Sequence, residues 1–246
     1  MNSVLFNADA LTRWIQEFRL NCYFKFVLPR IERTKLEGIE LDLSTLAPRL
    51  RNRILNVGYE DAEKDICRSM LTSSDTVLEL GGGIGFLGLF CQLKLGITKY
   101  ITVEANPATI AVLEQNYRLN NVTPLVWNCA VGPSDGEVFL NVDGDFWEHH
   151  LADASHTAGN VAVPSMTFAT LLAKSDFDIT ALVIDIEGAE KHIDFALLPS
   201  SVRKIIIEVH RDSLGDQGMK RLFADVRKQG FRTVHCKEAT FGFLRE

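Results

Sequence analysis

The fold of this chain is decided by the stretch Thr76-Val77-Leu78-Glu79-Leu80-Gly81-Gly82-Gly83-Ile84-Gly85, in which an apolar run with one carboxylate breaks into glycines. This pattern predicts a buried strand that turns tightly into a helix beginning near Phe86. Glycines suit such a turn because a backbone without Cβ can bend sharply and admit a ligand to contact distance. The first N–H groups of the helix remain free to donate, so the turn is predicted to bind a nucleotide-like ligand.

The same glycines satisfy the dinucleotide-binding pattern G-x-G-x-x-G through Gly83, Gly85 and Gly88, so two classes of cofactor must be compared. A pyrophosphate is attracted by a helix N-terminus, whereas the Glu79 carboxylate at the strand end would repel it. S-Adenosylmethionine carries a sulfonium and an ammonium group and no phosphate. Glu79 therefore favours S-adenosylmethionine over NAD. Glycines that merely pack a helix on a strand are the third interpretation.

Composition predicts a globular protein without affinity for nucleic acid. The 246 residues are 46% apolar, enough for one large core, and carry a net charge of -6. That charge gives no general electrostatic reason to bind nucleic acid or an anionic membrane. The five cysteines are scattered, odd in number and without a C-x-x-C pair, which predicts a reducing, cytoplasmic location. No segment approaches the length needed for a membrane span.

From Thr76 onward, strand and helix patterns alternate, which is typical of a doubly wound, mostly parallel α/β sheet. Strands are predicted over Val77–Leu80, Tyr100–Val103, Leu125–Asn128, Val138–Val142, Leu182–Ile186, Lys204–Val209, Phe231–Cys236 and Thr240–Leu244. Helices are predicted over Tyr59–Met70, Phe86–Leu95, Ala108–Leu119 and Gly218–Gln229. The last two strands lie too close in sequence for a parallel crossover, so we expect an antiparallel hairpin there.

The residues before this unit form a predicted extension. The chain then divides into an N-terminal helical part, residues 1–58, and a cofactor-binding domain, residues 59–246. Apolar residues recur at helical spacing from Ala8 to Leu28 and predict an amphipathic helix that Pro29 ends. A charged connector and a short helix within Leu46–Val57 follow. The extension either caps a substrate pocket or covers one edge of the sheet, and its helix is a candidate surface for self-association.

Polar residues follow several predicted strands, at the edge where ligands bind in doubly wound sheets. Glu104 ends the second strand and is placed to accept hydrogen bonds from both hydroxyls of a ribose. Asn128, Cys129 and Ala130 end the third and can supply amide and backbone groups to an adenine. Asp185 ends the fourth. The pattern therefore predicts one nucleoside site built from several strand ends.

Five segments carry the most specific signal: Val77–Gly85, Val103–Pro107, Asn128–Gly132, Leu182–Glu190 and Ile205–His210. In this order they resemble the FkbM family of S-adenosylmethionine-dependent methyltransferases, and the D-x-E-G-x-E element at residues 185–190 is the most family-specific. The resemblance covers residues 59–210 and implies a seven-stranded class I methyltransferase fold with an antiparallel final strand. One departure is the Glu-Leu-Gly-Gly-Gly of residues 79–83, where the family commonly has Asp-Val/Ile-Gly-Ala-Asn.

The resemblance also implies where S-adenosylmethionine binds and what accepts the methyl group. The implied cofactor-binding positions are Glu60, Glu79, Gly81, Gly83, Gly85, Glu104, Ala105, Asn128, Cys129, Ala130 and Asp185. Members of the family mostly methylate hydroxyl oxygens of sugars and polyketides. The expected acceptor is therefore a small molecule or a glycan, such as a lipid-linked oligosaccharide or a secondary metabolite.

Methyl transfer to a hydroxyl needs alignment and a general base. The candidate catalytic residues are Asp185, Glu187, Glu208 and His210, which lie at the ends of the fourth and fifth strands. Among them, His210 or Asp185 is favoured as the base, and Glu187 as the group that orients the substrate or backbone.

Two other functions remain open from the sequence. A divalent metal held by Asp185, Glu208 and His210 would make a metal-dependent O-methyltransferase for a catechol-like acceptor, although no resident metal is expected. A non-catalytic module would bind the cofactor or a partner, docking through the N-terminal helix. The extension and the polar segment Asp143–Asn160 match no family motif and are predicted to carry substrate choice, the latter as a lid.

Overall fold

The computed structural model describes residues 19, 22–141, 150–151 and 160–246. The strands are β1 Arg33–Leu36, β2 Ile39–Asp42, β3 Thr76–Leu80, β4 Lys99–Glu104, β5 Leu125–Asn128, β6 Ala130–Val131, β7 Gly136–Asn141, β8 His150–Leu151, β9 Asn160–Met166, β10 Ala181–Ile184, β11 Lys204–Glu208, β12 Arg232–Lys237 and β13 Thr240–Leu244. The α-helices are α1 Pro48–Asn52, α2 Asp61–Met70, α3 Phe86–Lys94, α4 Pro107–Leu119, α5 Phe168–Lys174 and α6 Arg211–Lys228.

Seven strands form the main sheet in the order β5-β4-β3-β10-β11-β13-β12. The pairs from β5 to β11 are parallel, while β13 is antiparallel to both of its neighbours. The predicted class I methyltransferase fold and its terminal hairpin are therefore confirmed. In this arrangement the carboxyl ends of β3, β4, β10 and β11 meet at one edge, which is where ligands bind in such sheets.

Strands β3 and β10 form the centre of the sheet and are buried along their whole length. Their near-continuous apolar sequence is expected for parallel strands that are covered on both faces. One core cluster lies between the sheet and α2, α3 and α4, and the other lies between the opposite face and α5 and α6. Because β3 is packed on both faces, the point at which it ends and the glycine turn begins is held in one position.

Three regions differ from the sequence-based prediction. The charged connector before α1 forms the antiparallel hairpin β1-β2, so the extension is not helical throughout. Strands β6, β9, β7 and β8 form a second, four-stranded sheet, of which the sequence predicted one arm. Helix α6 begins seven residues before the predicted Gly218, because Gly215 (φ 66°) allows a kink that joins two helical segments.

Two predicted features fall largely outside the described residues. These are the amphipathic helix Ala8–Leu28, of which Tyr23–Val27 is a π-helical turn, and most of the segment Asp143–Asn160. Among the described helices, none combines the length and hydropathy required to cross a membrane.

Candidate functional site

A cavity of about 710 Å³ lies at the carboxyl edge of the main sheet, between the glycine turn and the segment that precedes α2. Most of the sequence-predicted site residues line it: Glu60, Gly81, Gly83, Glu104, Ala105, Cys129, Ala130, Asp185, Glu187, Glu208 and His210. Three predicted residues do not line it, namely Glu79, Gly85 and Asn128. The fold therefore brings the ends of four strands into one cleft.

The glycine turn packs directly against the end of β10. Gly81 has a left-handed φ of 89°, and a Cβ added there would overlap the backbone carbonyl oxygen of Asp185. The N–H groups of Gly81 and Gly82 donate to the carbonyl of Val103 at 2.9 and 3.2 Å. Glycine at position 81 is therefore required both by conformation and by the close approach of the neighbouring strand end.

Glu79 lies beneath the glycine turn rather than in the cavity. Its side chain is buried, accepts a 2.7 Å hydrogen bond from the Thr102 hydroxyl and lies beside Gly82 and Gly88. Burial raises the pKa of Glu79 to about 7. The prediction that this carboxylate meets a cationic ligand directly is therefore corrected, because the side chain points to the helix-covered face of β3 and not past the strand end.

Glu104 is at the predicted position, the last residue of β4, and faces the cavity. Its carboxylate accepts the N–H of Gly83 at 3.0 Å and the N–H of Asn106 at 2.8 Å. Burial raises the pKa of Glu104. The exposed Asn128 donates from its side-chain amide to the carbonyls of Glu104 and Ala105, at 3.0 Å each. Asn128 thus positions the Glu104 backbone instead of lining the cavity itself.

His210 lies among three carboxylates. Its Nδ1 is 2.8 Å from Glu190 Oε1, and its Nε2 is 3.1 Å from Glu187 Oε2 and 3.5 Å from Asp185 Oδ1. Burial alone would lower the pKa of His210, but hydrogen bonds to Glu187 and Glu190 and the charge of Asp185 raise it to about 11. His210 is therefore an imidazolium at neutral pH and has no free lone pair with which to act as a base.

Two cavity carboxylates have buried oxygens without a hydrogen-bond partner among the described residues, Glu60 Oε2 and Asp185 Oδ1. Burial raises the pKa of both, and the nearby charge of Glu208 adds to the rise at Asp185. Glu60 and Glu187 also have left-handed φ angles of 52° and 49°. Such backbone strain concentrates at ligand sites, and the unpaired oxygens are available to a cationic or hydrogen-bond-donating ligand.

Glu208 ends β11 inside the same cavity. Burial, followed by the charge of Glu63, raises the pKa of Glu208 to about 7. No donor among the described residues makes a hydrogen bond to its side chain, so its carboxylate is free to take a proton. Glu63 was missed from the sequence because it lies on α2, where it accepts a hydrogen bond from Thr240.

Ligand atoms of Asp185, Glu187 and His210 lie within 4.8 Å of one another, close enough for a divalent cation. The set differs from the sequence prediction, which included Glu208 in place of Glu187. A cation at this point would have to displace the proton of His210, which the neighbouring carboxylates hold. In the structure, Asp185 and Glu187 form ion pairs with His210.

We expect His210→Gln to cost more stability at pH 7.5 than at pH 9.5. Since the folded-state pKa of about 11 exceeds the ordinary value near 6.5, the stabilisation is complete below the ordinary value and is lost as pH rises through the folded value. Urea unfolding of both proteins at each pH measures the difference. His235→Gln is the control, because His235 has no carboxylate partner in the described part of the chain. If the stability difference between wild type and His210→Gln grows as the pH rises, His210 is not the protonated partner of these carboxylates.

Comparison with known proteins supports the same fold and family. The model of the methyltransferase FkbM domain matches residues 84–233. A proposed protein N5-glutamine methyltransferase of Methanocaldococcus jannaschii is 30% identical over 115 residues, which is 46% of this chain and 49% of that protein. The chain thus aligns with about half the length of that relative.

Two solved structures illustrate the structural likeness. Methyltransferase FkbM of Methylobacillus flagellatus KT has a TM-score of 0.51 at 12% identity, covering 80% of this chain and 53% of that chain. The TYW2 protein of M. jannaschii, solved in complex with S-adenosylmethionine, has a TM-score of 0.42 at 12% identity, covering 87% of this chain and 86% of that chain. At 12% identity, the similarity to the M. flagellatus structure shows a shared fold and nothing more.

Proposed function

Because this chain belongs to the FkbM family of methyltransferases, whose cofactor is S-adenosylmethionine, we propose that it transfers the cofactor's methyl group to a hydroxyl oxygen of a sugar, glycan or secondary metabolite. The observation that carries the proposal is that the glycine turn and the carboxylates of Glu104 and Glu208 line one cavity. Its volume of about 710 Å³ is within the usual range of ligand-binding pockets, about 300–1,000 Å³.

The residues of the cavity suit the parts of S-adenosylmethionine. Glu104 would accept hydrogen bonds from the ribose hydroxyls, and Ala105, Cys129 and Ala130 would surround the adenine. Glu60 Oε2 and Asp185 Oδ1, which accept no hydrogen bond from the described residues, would accept the ammonium group. The bound cofactor supplies a methyl group activated by its sulfonium.

The acceptor hydroxyl must lose its proton as its oxygen bonds to the methyl carbon. Glu208 is the best-placed acceptor of that proton, because its carboxylate accepts no hydrogen bond within the described part of the chain and its pKa is about 7. The sequence favoured His210 or Asp185 for this role. Since His210 already carries a proton, its Nε2 would instead hold Glu187 and Asp185 in place.

An acceptor nitrogen is a second candidate, because the M. jannaschii relative is named for a glutamine side chain. A carboxamide nitrogen also gives up a proton on methylation, so Glu208 would serve there too. The two acceptor classes are distinguished by the atom to which the methyl group is attached in the product.

The proposal is tested by incubating the purified protein with isotopically labelled S-adenosylmethionine and a panel of sugars, glycans, polyketides and glutamine peptides, with and without a chelator. We expect labelled product on a hydroxyl acceptor, unchanged by chelation. Loss of product on chelation with rescue by metal would support a metal-dependent enzyme. Cofactor binding without turnover on any acceptor would support a non-catalytic module, and binding of NAD alone would overturn the proposal.

We expect Glu104→Ala to weaken binding of S-adenosylhomocysteine by about 10–100-fold, since two charge-assisted hydrogen bonds to the ribose are lost. Calorimetry measures the affinity. Glu104→Gln keeps one oxygen acceptor and should lose less. Because Glu104 also holds Gly83 and Asn106, a thermal melt must show that the variant is folded. Glu114→Ala, on the exposed face of α4, is the control, and equal affinities for all the proteins would overturn the ribose assignment.

A further inference from the structure

The wall of the cavity is rich in carboxyl groups, which come from the segment before α2, from α2 itself and from the ends of β10 and β11. They belong to Glu60, Glu63, Asp185, Glu187 and Glu208. The amino-acid end of S-adenosylmethionine carries a carboxylate as well as an ammonium group. The ammonium suits this wall, but the carboxylate would be repelled by it unless a cation lies nearby. The site therefore requires a positive group that the sequence analysis did not identify.

Arg53 is a cation that lines the cavity and is not engaged elsewhere. Its side chain makes no hydrogen bond or ion pair with any other described residue, whereas His210 is held by three carboxylates. The charge of Arg53 reaches the cavity groups, since it acts to lower the pKa of Glu208 and of Tyr59. Arg53 is thus near the acid-rich wall and free to pair with a ligand.

The backbone that carries Arg53 is firmly held. The neighbouring Arg51 is buried and donates to the carbonyls of Leu46, Ser44 and Pro29 at 2.8, 2.6 and 3.1 Å. After Arg53 the chain forms a π-helical turn, closed by the N–H of Gly58 donating to the Arg53 carbonyl at 3.0 Å. The chain then reaches Glu60, so Arg53 and the Glu60 Oε2 atom, which has no hydrogen-bond partner among the described residues, line the same cavity.

We propose that Arg53 pairs with the α-carboxylate of the cofactor's amino-acid end, while Glu60 and Asp185 accept its ammonium group. This assignment rests on the proposed function for the identity of the cofactor. It gives the zwitterionic end of the cofactor one partner for each charge. A guanidinium is suited to this task because its planar donors match both oxygens of a carboxylate.

Two ligands that share a nucleoside test the assignment by calorimetry. S-Adenosylhomocysteine has the amino-acid end, and 5′-methylthioadenosine lacks it. We expect Arg53→Met to weaken the first by about 10–100-fold and to leave the second within about twofold of wild type. Arg53→Lys, which keeps the charge but not the planar fork, should fall between. Unchanged binding of methylthioadenosine also shows that the variant is folded.

Arg49→Met is the matched control, because Arg49 lines the same cavity four residues earlier. Loss of S-adenosylhomocysteine affinity in Arg49→Met but not in Arg53→Met would overturn the assignment. So would an equal loss of both ligands in Arg53→Met, or no loss of either. If wild type binds methylthioadenosine and S-adenosylhomocysteine but Arg53→Met does not differ, this inference alone fails. If wild type binds neither ligand, the proposed function fails with it.

Discussion

Replacing Gly81 with alanine is expected to weaken S-adenosylhomocysteine binding by more than about 100-fold. The new Cβ would overlap the carbonyl oxygen of Asp185, so the glycine turn and the end of β10 must move apart. That movement displaces both the turn and the Asp185 side chain, which line the proposed cofactor site. A left-handed φ costs a non-glycine residue a further ~1–3 kcal/mol. Calorimetry with S-adenosylhomocysteine measures the loss.

Gly96→Ala is the control that distinguishes backbone strain from the overlap with Asp185. Gly96 has a φ of 72°, similar to that of Gly81, but a Cβ there would meet only the Ser73 side chain at an ordinary contact distance of 3.5 Å. Its alanine variant should lose stability from backbone strain and keep ligand affinity. If Gly81→Ala and Gly96→Ala bind the ligand equally well once both are shown to be folded, the turn is not a cofactor-binding element.

The sequence predicted the fold well because its strongest signals are local. A buried strand that ends in glycines, followed by alternating strand and helix patterns, determines the parallel part of the sheet. The short link between β12 and β13 leaves an antiparallel hairpin as the only connection of that length. By contrast, strands β6 and β9 pair over a long sequence separation. Weakly patterned strands of this kind give no local signal, and the second sheet was largely missed.

The candidate site was predicted less completely, because chemistry depends on what surrounds a side chain. Glu79 was expected in the cavity, but it precedes the last residue of β3, so its side chain points to a face of the sheet and not past its edge. His210 was favoured as a base from its residue type and its place at the end of a predicted strand. The three carboxylates that keep it protonated all follow β10 within residues 185–190, and only the fold brings them beside His210 at the end of β11.

Arg53 is a site residue that the sequence did not predict, because its role also depends on what surrounds it. It lies in the extension, outside every motif that the sequence singled out, and its charge gains significance only beside the acid-rich wall. The extension therefore contributes to the lining of the cavity as well as covering the sheet. We infer that the boundary at residue 58 marks a change in motif content and not a separate functional unit.

We expect Glu208→Gln to lower kcat by about 10²–10⁴-fold, the usual contribution of a general base, with S-adenosylhomocysteine affinity within about threefold of wild type. The acceptor found in the screen serves as substrate. Glutamine keeps the size and one oxygen of the side chain but cannot take the hydroxyl proton. A parallel loss of ligand affinity would show that Glu208 binds cofactor and is not the base.

The pH profile of kcat is a second, independent test of Glu208 as the general base. A base must be ionised, so wild-type activity should fall as pH drops through about 7, the pKa of Glu208, and level off above it. Glu63, Glu187 and His210 interact with Glu208, so the observed value belongs to the group as a whole. Glu208→Gln should lose this limb, while Glu238→Gln, at the same cavity, should keep it. A limb that survives in Glu208→Gln would transfer the base role to Asp185, a carboxyl group of the same cavity whose pKa is also raised by burial.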